Sequence, residues 1–299
     1  MQRASRKYLT DSHGGGSAPQ ITVKPGEIFE AETELCSGDW LESIDTVWSR
    51  EKEKGSNPTV VVAVEGAAPG DSLRVRICDI VPDRLGYTGF VNRDHALANK
   101  IIDMDWGDNI RIVRIEDGAV HFSPSLTLPV SPMIGTLGTA PAGEPIPNSY
   151  GGRHGGNMDA QCVKKGAVVT LPVEARGALL HIGDVHAIQG DGEICGSGGI
   201  ECRSLVTLSV EIVPRPAHNG CVRVENEEEL CAVACEGGFD DCCTAAVREL
   251  LYWINDEYRI GLNEAYLLLG QVMRMNVTQL VNPTRTVAAS VSKKNLRVR

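Results

Sequence analysis

Aromatic side chains are scarce in this chain, at 5% of 299 residues, while glycine (32 residues) and proline (15) are plentiful. That balance argues against a helical bundle and for many turns and short strands. Dense blocks of lysine or arginine are missing as well, and the formal charge is −10. Nucleic acid and anionic membrane surfaces both require a basic footprint, so neither is expected as a partner. A small neutral or cationic ligand stays open. No stretch approaches the roughly 18 apolar residues of a membrane span. Met1 to Thr10 carries charge with no apolar segment behind it, so no signal peptide is read there. The expected location is the cytoplasm, where the ten cysteines would be mostly free thiols. The Asn276-Val277-Thr278 sequon has no meaning in that compartment. No internal repeat recurs at a fixed period.

With 42% hydrophobic and 23% charged residues, the composition is that of an ordinary globular protein. The length suits one large core or two packed sub-domains. Thr59 to Val64 is an apolar, β-branched run, read as a buried strand. Leu73 to Ile77 alternates apolar and charged residues, and the two together read as a hairpin-like pair. Residues 84–109 read as a long irregular segment, functional or flexible. Ile110 to Ile115 and Ala119 to Phe122 flank a Glu116-Asp117-Gly118 hairpin turn. Prolines 124, 129, 132, 141, 145 and 147 then mark a transition between sub-domains. Strands are expected again at 167–171, 178–182 and 206–212. Asp240 and Asp241 are candidate N-caps for a helix carrying Val247, Leu250, Leu251, Ile254 and Tyr258 on one stripe. Gly261 separates it from a second helix beginning near Asn263, and residues 277–291 return to strand spacing, interrupted at Asn282-Pro283.

The densest run of catalytic residue types is Gly183 to Glu193, directly after an apolar strand. Side chains at i and i+2 of an extended chain share a face. Asp184 and His186 therefore converge, as do Asn157 with Asp159 and Asp191 with Glu193, while Glu201 lies shortly beyond. Carboxylate oxygens with one imidazole suit zinc, manganese or iron. Spacing alone leaves the plainer readings open: an Asp-x-His pair at a strand end is more often structural, and Asp191 and Glu193 could be solvated turn residues. Cys231-x3-Cys235 with Cys242-Cys243 is not a standard zinc knuckle, because the adjacent pair would strain a tetrahedral ion.

Longer words of sequence say more than these spacings. Gly155-Gly-Asn-Met-Asp159, Leu171-Pro-Val173, Gly177-Ala-Leu179 and the run Gly183 to Gly196, followed by Ile200-Glu201, resemble the central signature of the acetamidase/formamidase family. Val23 to Gly26, Asn57-Pro58, Val64 to Asp71, Glu264 to Tyr266 and Gln279 to Asn282 fit the same pattern, so the resemblance spans nearly the whole chain.

The resemblance implies hydrolysis of formamide, acetamide or a related short carboxamide to the acid and ammonia, with a divalent metal bound. Zinc is the first expectation, calcium or another divalent ion the alternative. It implies a mainly β fold with an α/β C-terminal part: a β-sandwich (jelly-roll-like) core plus a second β-rich sub-domain, assembled as a homodimer or higher homo-oligomer. The corresponding division is residues 1–150, a signature-bearing β region at 151–215 with the active site, and an α/β region at 216–299.

Onto this chain it carries Asp159, Asp184 and His186 as metal ligands, and Glu193 and Glu201 as acid/base residues. His154 enters as a further ligand or a donor to the oxyanion, and Asn157, Gln189 and Asp191 as substrate-binding residues. His13 is expected to be peripheral, and His95, in the irregular segment, is a candidate to close over the pocket, the less favoured of its readings. Two other readings remain. Cys195 could serve as nucleophile, which would need a carboxylate and a lysine around the thiol, and no lysine lies in the block. A divergent amide-binding or assembly protein without turnover is the other, and the intact Asn-Met-Asp and Gly-Asp-Val-His elements argue against it.

Overall fold

Strand Leu180–His186 is buried at every residue, as is Thr59–Val64. The β-branched run Thr59–Val64 suits a strand covered on both faces, whereas Leu180–His186 buries His181, Asp184 and His186 along with its apolar residues. Leu180 to Gly183 pairs antiparallel with Thr59 to Val62 on one side, and Met133–Gly138 pairs antiparallel on the other. The computed structural model in which these ladders are seen describes residues 1–90 and 107–297. Most of the described chain is strand, gathered in one large curled sheet, with helices only towards the C-terminus. No helix among the described residues is long and apolar enough to cross a membrane.

The alternation that starts at Leu73 continues far beyond Ile77. A single strand runs from Asp71 to Phe90, so residues 84–90 are extended and not irregular. It pairs antiparallel with Glu201–Pro214 and Val168–Pro172, and the register jumps where Gly86 and Pro82 face Cys202 and Ser204. Proline offers no ladder donor, and a bulge there lets the strand bend and continue. The expected hairpin with Thr59–Val64 is therefore corrected, since that strand takes Ile21–Val23 and Leu180–His186 as its neighbours. The remainder of the segment read as irregular, with His95, lies largely outside the described residues. The Asp117-Gly118 turn forms as expected, both residues at positive φ, joining Asn109–Glu116 to Ala119–Ser123.

Ladders also cross the line drawn between residues 150 and 151, so regions 1–150 and 151–215 share one core in which Phe29, Leu73, Ile134, Leu171 and Ile182 are fully buried. The C-terminal region has a second core. Leu230, Ala232 and Ala234 face helix Phe239–Tyr258, whereas Cys231, Val233 and Cys235 of the same strand, Glu229–Glu236, face the first core. The two-residue strand period makes this strand a wall between both cores. It also separates Cys231 and Cys235 from Cys242, which lies on the helix side, so these thiols do not surround one ion. Gly238, not Asp240 or Asp241, is the N-cap; the two acids sit in the first turn, where they complement the helix dipole. Residues 277–291 divide into strands Arg274–Gln279 and Arg285–Ser292, an antiparallel pair with Asn282-Pro283 at the turn.

One buried ion pair pins the helix to the sheet. Arg223 Nε donates to Glu249 Oε1 at 2.6 Å, and Glu249 Oε2 accepts the Gly220 amide at 2.8 Å. Both residues are under 5% exposed. Glu249→Gln should lower the free energy of unfolding by roughly 3 kcal/mol, because it strands a buried guanidinium. A urea midpoint unchanged from wild type would rule that out.

Candidate active site

The site lies where strand Leu180–His186 leaves the sheet. Asp184 and His186 come from this strand, Glu201 from the start of the strand that pairs with it at His186, Asp159 from the turn after Gly155–Asn157, and Glu193 from the loop beyond His186. All five are buried, none more than 7% exposed. Ligand atoms of Asp159, His186 and Glu193 lie within 4.8 Å of one another, and so do those of Cys36, Asp184 and Glu201. His186 Nε2 joins the two sets, 2.9 Å from Glu201 Oε1 and 4.0 Å from Asp184 Oδ1.

Asparagines brace the carboxylates. Asn282 donates to Asp159 at 2.6 Å; Asn57 and Thr136 donate to Asp184 Oδ2 at 3.3 and 3.1 Å. Asn157, oriented so that donors meet acceptors, donates to Asp159 at 2.8 Å and to Asp184 at 3.0 Å and accepts from Asn57 and Asn282. Its amide is thus fully engaged by the protein. Gly135 allows the two aspartates to approach, since a Cβ there would stand 2.5 Å from Asp159 Oδ1 and 2.6 Å from Asp184 Oδ2. Gly198 does the same against the imidazole, with a would-be Cβ 2.0 Å from His186 Nε2. Of the eight non-glycine residues with positive φ among those described, four are Asn57, Asp159, Asp184 and Glu193. Such backbone costs about 1–3 kcal/mol per residue and collects where surroundings hold a functional geometry.

Charge is the other unusual feature. Among the described residues, His186 is the one basic side chain within ion-pair distance of these carboxylates. Burial raises the Asp159 carboxyl above its ordinary range, and burial with the charges of neighbouring carboxylates raises Asp184 and Glu193 well above theirs. Burial opposes protonation of His186, but Glu201 and Asp184 outweigh it and push the imidazole up to about 10. Glu193 Oε2, Glu201 Oε2 and His186 Nδ1 are buried without a hydrogen-bond partner. Oxygen donors with one imidazole, excess negative charge and orphaned donor atoms fit a divalent cation.

Other expected residues fall elsewhere. Gln189 donates to the Asp159 main-chain oxygen at 3.0 Å, and its Oε1 has no partner. Asp191 is exposed and accepts from Asn276 at 2.7 Å. Cys195, half-buried, lines a cavity beside Glu193, and burial raises its thiol while Thr88 opposes that rise. His154 packs against His13, ring centres 4.9 Å apart, and His13 stacks on His181 at 4.2 Å. His13, expected to be peripheral, is wholly buried. Cys36, Thr136 and Gly135 were not anticipated, since nothing local marks them. Asn57 and Asn282 lie in segments that carried the resemblance, though not as site residues.

Comparison with known proteins gives concordant findings. Residues 145–225 match the model of the acetamidase/formamidase family. The acetamidase of Mycolicibacterium smegmatis is 37% identical over 262 residues, covering 64% of this chain and 63% of that protein. A Schizosaccharomyces pombe protein named as a formamidase is 28% identical over 206 residues, 50% of each. The chain thus spans 50–63% of the length of these two curated relatives. The crystal structure of an acetamidase from Bacillus halodurans superposes with a TM-score of 0.89 at 29% identity, covering 99% of this chain and 100% of that one.

A folded-state pKa above the unfolded value contributes stability at low pH that is lost as pH rises. Asp159, Asp184, Glu193 and His186 all shift in that direction. Chelated protein should therefore lose thermal stability as pH rises from the carboxylate range, with the imidazole's share lost between 6.5 and about 10. An added divalent cation should reverse the trend. Melting temperatures at pH 5, 7 and 9, with and without Zn²⁺, check this; a flat profile in both series would contradict it.

Proposed function

We propose that this chain, which belongs to the acetamidase/formamidase family, hydrolyses a carboxamide to carboxylate and ammonia at its buried carboxylate–imidazole site, with a divalent cation bound. The observation that carries the reading is four buried acids around one imidazole, a charge excess that a bound cation would offset. Zinc is the preferred ion, with calcium or another divalent ion as the alternative.

Asp159, His186 and Glu193 would hold the cation, a grouping that moves Glu193 from proton transfer to ligation and leaves Asp184 beside Glu201. When bound, the cation supplies Lewis acidity toward the amide carbonyl and makes water a stronger acid. Glu201, with Oε1 anchored to His186 and Oε2 free, takes a proton from the attacking water and returns it to the leaving nitrogen. Gln189 Oε1, buried and unpartnered, accepts from the substrate amide nitrogen. Asn157 acts by positioning the two aspartates, and His154 and Asp191 have no part in the step. The thiol alternative is disfavoured by burial, which keeps Cys195 protonated and poorly nucleophilic.

The ten free thiols suit a reducing compartment such as the cytoplasm. Exposed Leu262, Tyr266 and Leu267 on the second helix support assembly into a homodimer or larger homo-oligomer.

Ammonia release from a panel of amides, before and after chelation, tests the reading. Asp184→Asn and His186→Ala should each lower turnover at least about 100-fold, beyond the loss typical of a supporting contact, with the fold intact by circular dichroism. A near-wild-type rate in His186→Ala would refute the ligand assignment, and one in Asp184→Asn would refute the part given to the aspartate beside Glu201. Cys195→Ala should keep appreciable activity; complete loss with metal still bound would favour the thiol route.

A further inference from the structure

A cavity of about 300 Å³ adjoins the carboxylate–imidazole cluster. Glu193, Gln189 and Gly198 form its buried end, and Gly198 packs directly on the His186 ring. Away from that end the wall is carbon, from Phe122, Leu128, Ile188, Ile194 and Ile200. Asp191 stands at the rim with its carboxylate turned to Asn276. Thr88 and Cys195, which interact with each other, are the other polar side chains of the lining.

Small amides would use little of this space. A volume of 300 Å³ admits about ten groups of water size, of which the carboxamide itself takes three. Formamide or acetamide would leave the aliphatic wall facing water or void, forgoing both the hydrophobic gain and the dispersion contacts of a filled site. We propose that the substrate of this chain is a primary amide whose carbonyl carbon bears an apolar chain or ring of roughly five to seven heavy atoms, seated against Phe122, Leu128, Ile188, Ile194 and Ile200. The proposal rests on the amide-hydrolysis reading, in which ammonia leaves and the carbon substituent consequently lies on the acyl side.

The experiment is a series of kcat/KM values for the metal-loaded protein with formamide, acetamide, butyramide, hexanamide and benzamide. The expected result is a rise of about fourfold for each added methylene up to hexanamide. The change should sit mainly in KM, since contact with the wall is the same in ground and transition states. Ile194 lies on the exposed rim, 59% accessible, so Ile194→Ser spares the fold. It should reduce the preference for hexanamide over acetamide about threefold to tenfold, and Phe122→Ala should reduce it further. A flat or falling series would overturn the cavity proposal and leave amide hydrolysis standing. Ammonia from no member would overturn both. A rising series unaltered in both variants would overturn the assignment of this wall.

Discussion

Asp159, Asp184, Glu193 and Glu201 are withdrawn from water around a single imidazole. Isolated buried carboxylates cost several kcal/mol each, so such a cluster persists only if protons or a cation reside in it. The raised carboxyls and the imidazole held at about 10 are the protonated solution to that problem. A divalent ion is the other solution, and it converts an electrostatic liability into folding free energy. The rest of the local structure is organised around holding these groups together. Three asparagines and a threonine donate to the carboxylates, while Gly135 and Gly198 leave space where a side chain would force these groups apart.

The sheet makes that arrangement rigid. Leu180–His186 runs between two antiparallel neighbours and through the core before it presents Asp184 and His186. The left-handed backbone at Asp184 redirects the strand at the point where its side chain is needed. Asn57, Asp159 and Glu193 share that conformation, so the site draws its backbone strain from four separate segments, and the packed cores offset the cost. Beside this polar cluster lies a cavity lined largely by Phe122, Leu128, Ile188, Ile194 and Ile200.

Much of this was legible beforehand. The β-branched run at Thr59 to Val64, the Asp-Gly hairpin turn and the two C-terminal helices follow from local periodicity, and the structure contains them. The word Gly-Asp-Val-His and the Asn-Met-Asp element marked residues that do meet in space. Less was visible for Asp71–Phe90, because a proline inside a strand reads as a break until the bulge beside it, between Pro82 and Gly86, is seen. Cys36 and Thr136 gave no local sign at all, for their importance lies only in what stands opposite them.

Composition, periodicity and the glycine-rich words by themselves determined a mainly β chain with a late helical region, and named the acids and the imidazole of the site. These are local properties, written in side-chain chemistry and spacing along one strand or turn. Tertiary structure alone decided that Glu193 groups with Asp159 and His186, that Cys36 and Asp184 group with Glu201, that His154 lies with His13 and His181, and that Cys231 and Cys242 face different cores. The reason is physical: proximity across a sheet is set by register and by the turns that join distant strands, and neither is encoded in the residues that end up side by side.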